Sequence, residues 1–223
     1  MMGILLQTKT TTTIEQDNFM DMLSNMGIGG NIVMAVLLLL SILAIYILVE
    51  RYFAIRKESL EDEDFLMSIR KFVEEKNIEK AKTLCKNTDS PIARMIEKGL
   101  DRIDKPMTDI SAAIENQGKL EIYKMDNKIT NLATISGAAP MIGFLGTVIG
   151  MIIAFQEMAR KTKVDPSDLA GGIYTAMITT AAGLVVGIIA YISYNYLVNK
   201  VDKVIFQLEA RTTEFLDLLH HND

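Results

Sequence analysis

Two charge-free stretches of this chain gather small and hydroxyl-bearing residues at helical spacing. Ser136, Pro140, Gly143, Thr147, Gly150 and Ala154 recur at intervals of four, three, four, three and four. Gly172, Ala176, Thr180, Gly183, Gly187 and Ala190 keep nearly the same rhythm, and Thr175 with Thr179 makes a second polar line one step around. The only chemistry such stripes offer is neutral. Threonine hydroxyls can both donate and accept hydrogen bonds, and glycines let another backbone come close.

Two physical readings compete. The first is packing. Both stretches contain G-x-x-x-G, at Gly146/Gly150 and Gly183/Gly187, and small residues let helices approach in lipid, where no hydrophobic effect drives them together. The second is that Thr147, Thr180, Thr175 and Thr179 face a water-accessible or partner-filled lumen. A threonine can satisfy its own hydroxyl on the carbonyl one turn back, so a single one says little. Several on facing helices beside a proline say more. Pro140 cannot bond the carbonyl of Ser136, which leaves one acceptor free.

No ionisable Asp, Glu, His, Lys or Arg lies within either stretch. Proton and ion pathways place such groups inside the membrane, so a titrating group, if one is used, must come from another polypeptide. Enzymatic constellations are missing as well: no G-x-S-x-G, H-E-x-x-H, Walker or dinucleotide fingerprint occurs, and no cofactor is expected. Cys85 stands alone and reads as a small core residue; the adjacent His220 and His221 read as a solvated tail rather than metal ligands.

The elements that must hold these residues are long apolar helices. The net charge of −5 is clustered, leaving three windows, 22–49, 129–156 and 169–199, without charge. Each exceeds the ~20 residues that cross a bilayer as a helix, and only helices or closed barrels satisfy backbone groups there. The expected fold is an all-α membrane protein. Three transmembrane helices carry long helical extensions that form a cytoplasmic bundle. Only Lys9 precedes the first span, whereas Arg51, Arg56 and Lys57 follow it, which places the N-terminus outside and the C-terminus in the cytoplasm.

The expected division is a periplasmic segment 1–27, a first span 28–50, a cytoplasmic helical domain 51–128, a second span 129–156, a periplasmic loop 157–171, a third span 172–198 and a C-terminal cytoplasmic helix 199–223. The first residues lack the basic start and long apolar run of a signal peptide, and Phe19, Met22, Leu23 and Met26 could lie along the membrane surface. Ser90 and Pro91 predict a helix start, Gly99 and Pro106 a break, and Thr108 the N-cap of one helix running to Phe155. Val201, Val204, Ile205, Leu208, Phe215 and Leu219 form an apolar stripe. The three spans make phospholipids the chain's immediate surroundings.

The run AAPMIGFLGTVIGMIIAF, a short loop, and GGIYTAMITTAAGLVVGIIAYISYNYL resemble the MotA/TolQ/ExbB proton-channel family. The resemblance is strong over about 130–198 and rests on G-x-x-G-T-V-x-G and T-x-A-G-L, each in its own span. Three spans with the N-terminus outside are most similar to the ExbB and TolQ branch. The resemblance implies a subunit of an inner-membrane homo-oligomer, typically a pentameric ring around an ExbD- or TolR-like single-span partner whose membrane aspartate carries the proton. It implies work passed to a TonB-like protein for outer-membrane transport, or in the TolQ case to the Tol-Pal envelope system. The family's threonines fall on Thr147 and Thr180; its third-span glutamate falls on Thr175, and its third-span proline near Ala190. A non-conducting membrane scaffold assembled through the G-x-x-x-G faces is the alternative of a different class.

Overall fold

The computed structural model describes residues 27–58, 63–160 and 166–221. The expected surface segment at Phe19–Met26 and the centre of the expected external loop lie outside them. The described residues form seven helices: α1 (Gly27–Glu58), α2 (Glu63–Glu74), α3 (Ile78–Asn87), α4 (Pro91–Leu100), α5 (Met107–Asp126), α6 (Ile129–Arg160) and α7 (Pro166–His221).

Three of these segments are long and apolar enough to cross a membrane: Ile28–Arg56, Met107–Arg160 and Ala170–His220. Their outward faces carry Leu38, Leu39 and Ile42 on α1, Phe144, Leu145 and Ile152 on α6, and Val185, Ile188 and Ile192 on α7, all exposed. An apolar belt of this extent is at rest only in lipid or against other protein. The buried stripe of α1 (Val33, Leu37, Ala44, Ile47) covers the α6–α7 pair.

Below the belt, α2, α4 and α5 pack against the C-terminal half of α7, with α3 lodged between α2 and α4. Phe65, Ile69, Ile96, Leu100, Ile114, Phe215 and Leu219 are buried in a core continuous with the spans, and the anticipated stripe on α7 faces it. Cys85 lies in this core, where burial pushes its thiol up to about 12.

Sequence signals set the start of α4 but not that of α5. Ser90 caps α4, its hydroxyl accepting from the Ala93 amide at 3.2 Å, with Pro91 in the first turn. Thr108 does not cap α5. That helix begins at Met107, after Pro106, without a side-chain cap. The expected break at Gly99 and Pro106 is present, α4 ending at Leu100 and α5 beginning at Met107; Gly99 is also buried in the last turn, where an added Cβ would sit 2.7 Å from Ile114 Cδ1 and 3.2 Å from Phe215 Cε1. The expected single helix from Thr108 to Phe155 is two helices, parted at Asn127 and Lys128. The break is slight: Asn127 keeps right-handed helical dihedrals and its amide still bonds Tyr123 O at 3.0 Å. Helix also extends into both ends of 157–171, to Arg160 and from Pro166.

Candidate functional site

α6 and α7 lie antiparallel, and the predicted stripes meet along their seam. An added Cβ at Gly143 would stand 2.6 Å from Thr179 O and 3.0 Å from Gly183 Cα; at Gly183, 2.6 Å from Ala139 O. Gly150 faces Ala176 in the same way (2.9 Å to its Cβ), and Gly187 faces Pro140 (2.7 Å to its Cγ). Even one methyl group would force these backbones apart. The carbonyl of Ser136, which Pro140 cannot bond, lies 3.1 Å from where a Gly187 Cβ would stand. Gly146 admits both Thr179 from α7 and Val33 from α1. The small residues are thus the points of closest approach along the seam.

Three threonines sit at its centre. Thr147 donates its hydroxyl hydrogen to Ala176 O at 2.8 Å. Its oxygen is also hydrogen-bonded to the Thr180 hydroxyl. Thr180 Oγ1 lies 3.3 Å from Gly143 O. Thr179, 1% exposed, has two carbonyls within reach, Ala176 O at 2.7 Å and Gly143 O at 3.2 Å. Each carbonyl already accepts a helical amide four residues on and lends its second lone pair to hydroxyls across the seam.

The three threonines differ in access. Thr179 points into the seam, between Gly143 and Gly146. Thr147 and Thr180 are only half-buried. Thr147 also lines an open groove of about 540 Å³ along one face of α6, with Val148, Met151, Ile152 and Phe155. Thr175 is on α7 one turn before Thr179.

Proton counting shows what this arrangement can do. Thr147 and Thr180 hold two hydroxyl hydrogens between them and face Ala176 O, Gly143 O and each other. Each oxygen keeps acceptor capacity, and each hydroxyl can rotate. A carboxylic acid entering from the open face could donate to a threonine oxygen, and a carboxylate could accept from a rotated hydroxyl. Neither state requires a charged group from this chain.

A second polar cluster, unforeseen from the sequence, lies where the spans meet the bundle. Glu121 on α5 is 2% exposed and accepts from Arg94 (2.8 Å), Lys124 (2.9 Å) and Gln117 (2.7 Å). Burial alone would raise its pKa; the Arg94 and Lys124 bonds outweigh burial and hold the carboxyl below the usual range. Nearby, Glu50 at the end of the first span bonds Lys128 at the α5–α6 break, and Arg51 donates to Lys124 O at 3.2 Å. The i, i+3 and i, i+4 spacing of Gln117, Glu121 and Lys124 was legible as helix pairing; the arrival of Arg94 from α4 was not.

Three apolar helices, two of them locked by a glycine seam around paired hydroxyls, define a polytopic helical membrane protein with a neutral intramembrane polar site. Residues 87–210 match the MotA/TolQ/ExbB proton channel family, and the chain belongs to it. It is 33% identical over 120 residues to an ExbB homolog of Methanothermobacter thermautotrophicus, an alignment covering 54% of this chain and 42% of that protein. It is 33% identical over 110 residues to the biopolymer transport protein ExbB of Aquifex aeolicus, covering 48% of this chain and 74% of that one. It is also similar to the Tol-Pal system protein TolQ of Haemophilus influenzae, 34% identical over 100 residues, 45% of this chain and 44% of its relative.

Proposed function

We propose that this chain is the ring-forming subunit of a proton-driven motor in a bacterial inner membrane, working with an ExbD-like single-span partner to power TonB-dependent outer-membrane transport. The observation that carries the reading is the Thr147–Thr180 hydroxyl pair at the edge of the α6–α7 seam, inside a stretch without ionisable side chains. Such a pair can solvate a foreign aspartate in both protonation states. Each charge moved through 100 mV releases ~2.3 kcal/mol, and the seam gives the ring a stiff wall against which that work is done.

The copies form a homo-oligomeric ring, a pentamer by analogy with the family. The N-terminus lies in the periplasm and the C-terminal end of α7 in the cytoplasm, on the strength of Arg51, Arg56 and Lys57 after the first span. The lumen-facing hydroxyls are those of Thr147 and Thr180, with Thr175 on the same helix where the family has a glutamate. Thr179 holds the seam. The chain acts as a transport subunit rather than an enzyme.

A second reading, a TolQ-like role in the Tol-Pal envelope system, is favoured by the similarity to the Haemophilus TolQ protein. Complementation separates the two: the chain, expressed with its partner, should restore energised uptake to cells lacking ExbB and not envelope integrity to cells lacking TolQ. Thr147→Val and Thr180→Val should each abolish uptake while the complex still assembles. Full uptake by both variants would sink the hydroxyl mechanism.

A further inference from the structure

Away from the Thr147 groove, a cleft runs between α1 and α7. Its upper part, about 380 Å³, is apolar and lined by Leu48, Val49, Phe53, Ile192 and Tyr196. Its lower part, about 160 Å³, is more enclosed and lined by Ile55, Arg56, Leu197, Lys200 and Lys203. Tyr52 lines both. The Tyr52 and Tyr196 rings stack across the two helices at 6.3 Å, and Lys200 Nζ lies 5.7 Å from the Tyr196 ring centroid. Among the described residues, none of Arg56, Lys200 and Lys203 forms an ion pair, and no carboxylate lines the lower cavity.

We propose that this cleft binds one anionic phospholipid, its acyl chain along Leu48, Val49 and Ile192 and its phosphate among Arg56, Lys200 and Lys203. The argument is charge complementarity joined to depth. The apolar part adjoins the exposed belt of α1 and α7, where acyl chains lie. The basic part follows directly at the end of that belt, at the level of headgroups. Basic pockets between spans at that level select anionic headgroups, and aromatic rings at the boundary are at home there. The three cations come from two helices, so the lipid would tie the end of α1 to α7 across the stacked tyrosines. The proposal needs only that α1 and α7 lie in a bilayer; it stands apart from the proton-motor reading.

Native mass spectrometry of the full-length protein, released from detergent micelles doped with phosphatidylglycerol or phosphatidylcholine, tests it. Phosphatidylglycerol should be retained on the order of ten-fold more than phosphatidylcholine. Lys200→Gln/Lys203→Gln should bring the two within two-fold, with Arg56→Gln as the substitute should the double variant not fold. Val49→Trp, which narrows the apolar part, should lower retention of both lipids. Equal retention of the two lipids by the native chain overturns the proposal. So does displacement of phosphatidylglycerol by an equal concentration of inorganic phosphate, which would mark a free-anion site. Loss of self-association in the lysine variant with lipid retention unchanged overturns it in favour of a second copy in the cleft.

Discussion

The α6–α7 seam and the Glu121 cluster hold helices together by opposite means. In the seam, contact is backbone to backbone, with Gly143 against Gly183 and hydroxyls spanning the gap to carbonyls. At the junction of the spans with the helical bundle, contact is by long charged side chains: Arg94 and Lys124 converge on one buried carboxylate, while Glu50 and Lys128 join the first span to the α5–α6 break. The difference follows from the solvent. Lipid gives apolar side chains no reason to leave it, so association relies on close approach and on hydrogen bonds. Outside the membrane, the hydrophobic effect assembles the core around Ile96, Leu100 and Ile114, and a buried charge is tolerated because several donors satisfy it. One region is tuned by volume and the other by charge.

The largest effect should therefore come from volume in the seam. Gly143→Leu has no space to occupy, since its first added atom already meets the Thr179 carbonyl at 2.6 Å. Overpacking of a rigid site costs ~3 kcal/mol or more, and folded protein should be lost from detergent extracts on size-exclusion chromatography. A native-like profile would show the seam to be plastic.

Charge removal at the junction should come next. Glu121→Ala removes the buried acceptor shared by Arg94, Lys124 and Gln117 and should cost about 2 kcal/mol, seen as a lower melting temperature at pH 7. Because the folded carboxyl titrates below its unfolded value, its contribution is complete above the unfolded pKa of about 4.3. It disappears as pH falls through the lower folded value. The gap between native and variant melting temperatures should thus be constant near neutrality and close in acid below about pH 4. A gap that widens in acid would contradict the assignment.

Ser90→Ala, which removes the cap of α4, should cost about 1 kcal/mol, measurable in the same melts. Thr179→Val should cost less still, about 0.6 kcal/mol, since the two carbonyls it serves keep their helical amide bonds. Its value lies in the contrast with Thr180→Val: the buried threonine should weaken the fold slightly and leave transport intact, whereas its half-buried neighbour should do the reverse. Identical behaviour of the two would erase the distinction between seam and open face.

Much of this architecture was legible in the chain. Three uncharged windows specify three spans, because no charge-free helix of that length is stable exposed to water. Ser90 and Pro91 specify a helix start through local hydrogen bonding alone. The stripes of Gly143, Gly183 and their neighbours announced close packing, and the paired motifs around Thr147 and Thr180 pointed to the family. Gly99 and Pro106 marked the break between α4 and α5, but that Gly99 also makes room for Ile114 and Phe215 was not legible. Thr108 misled because Pro106, with its fixed φ, can open a helix unaided.

Sequence by itself determined which segments enter the membrane and which faces of α6 and α7 carry small residues, because both follow from the hydropathy and spacing of neighbours along one chain. Only the tertiary structure decided that Thr179 turns into the seam while Thr147 and Thr180 share a hydrogen bond at its edge, and that Arg94 reaches Glu121. Those outcomes depend on the rotation and register of one helix against another, and these are set by contacts between residues far apart in the chain, which no local spacing encodes.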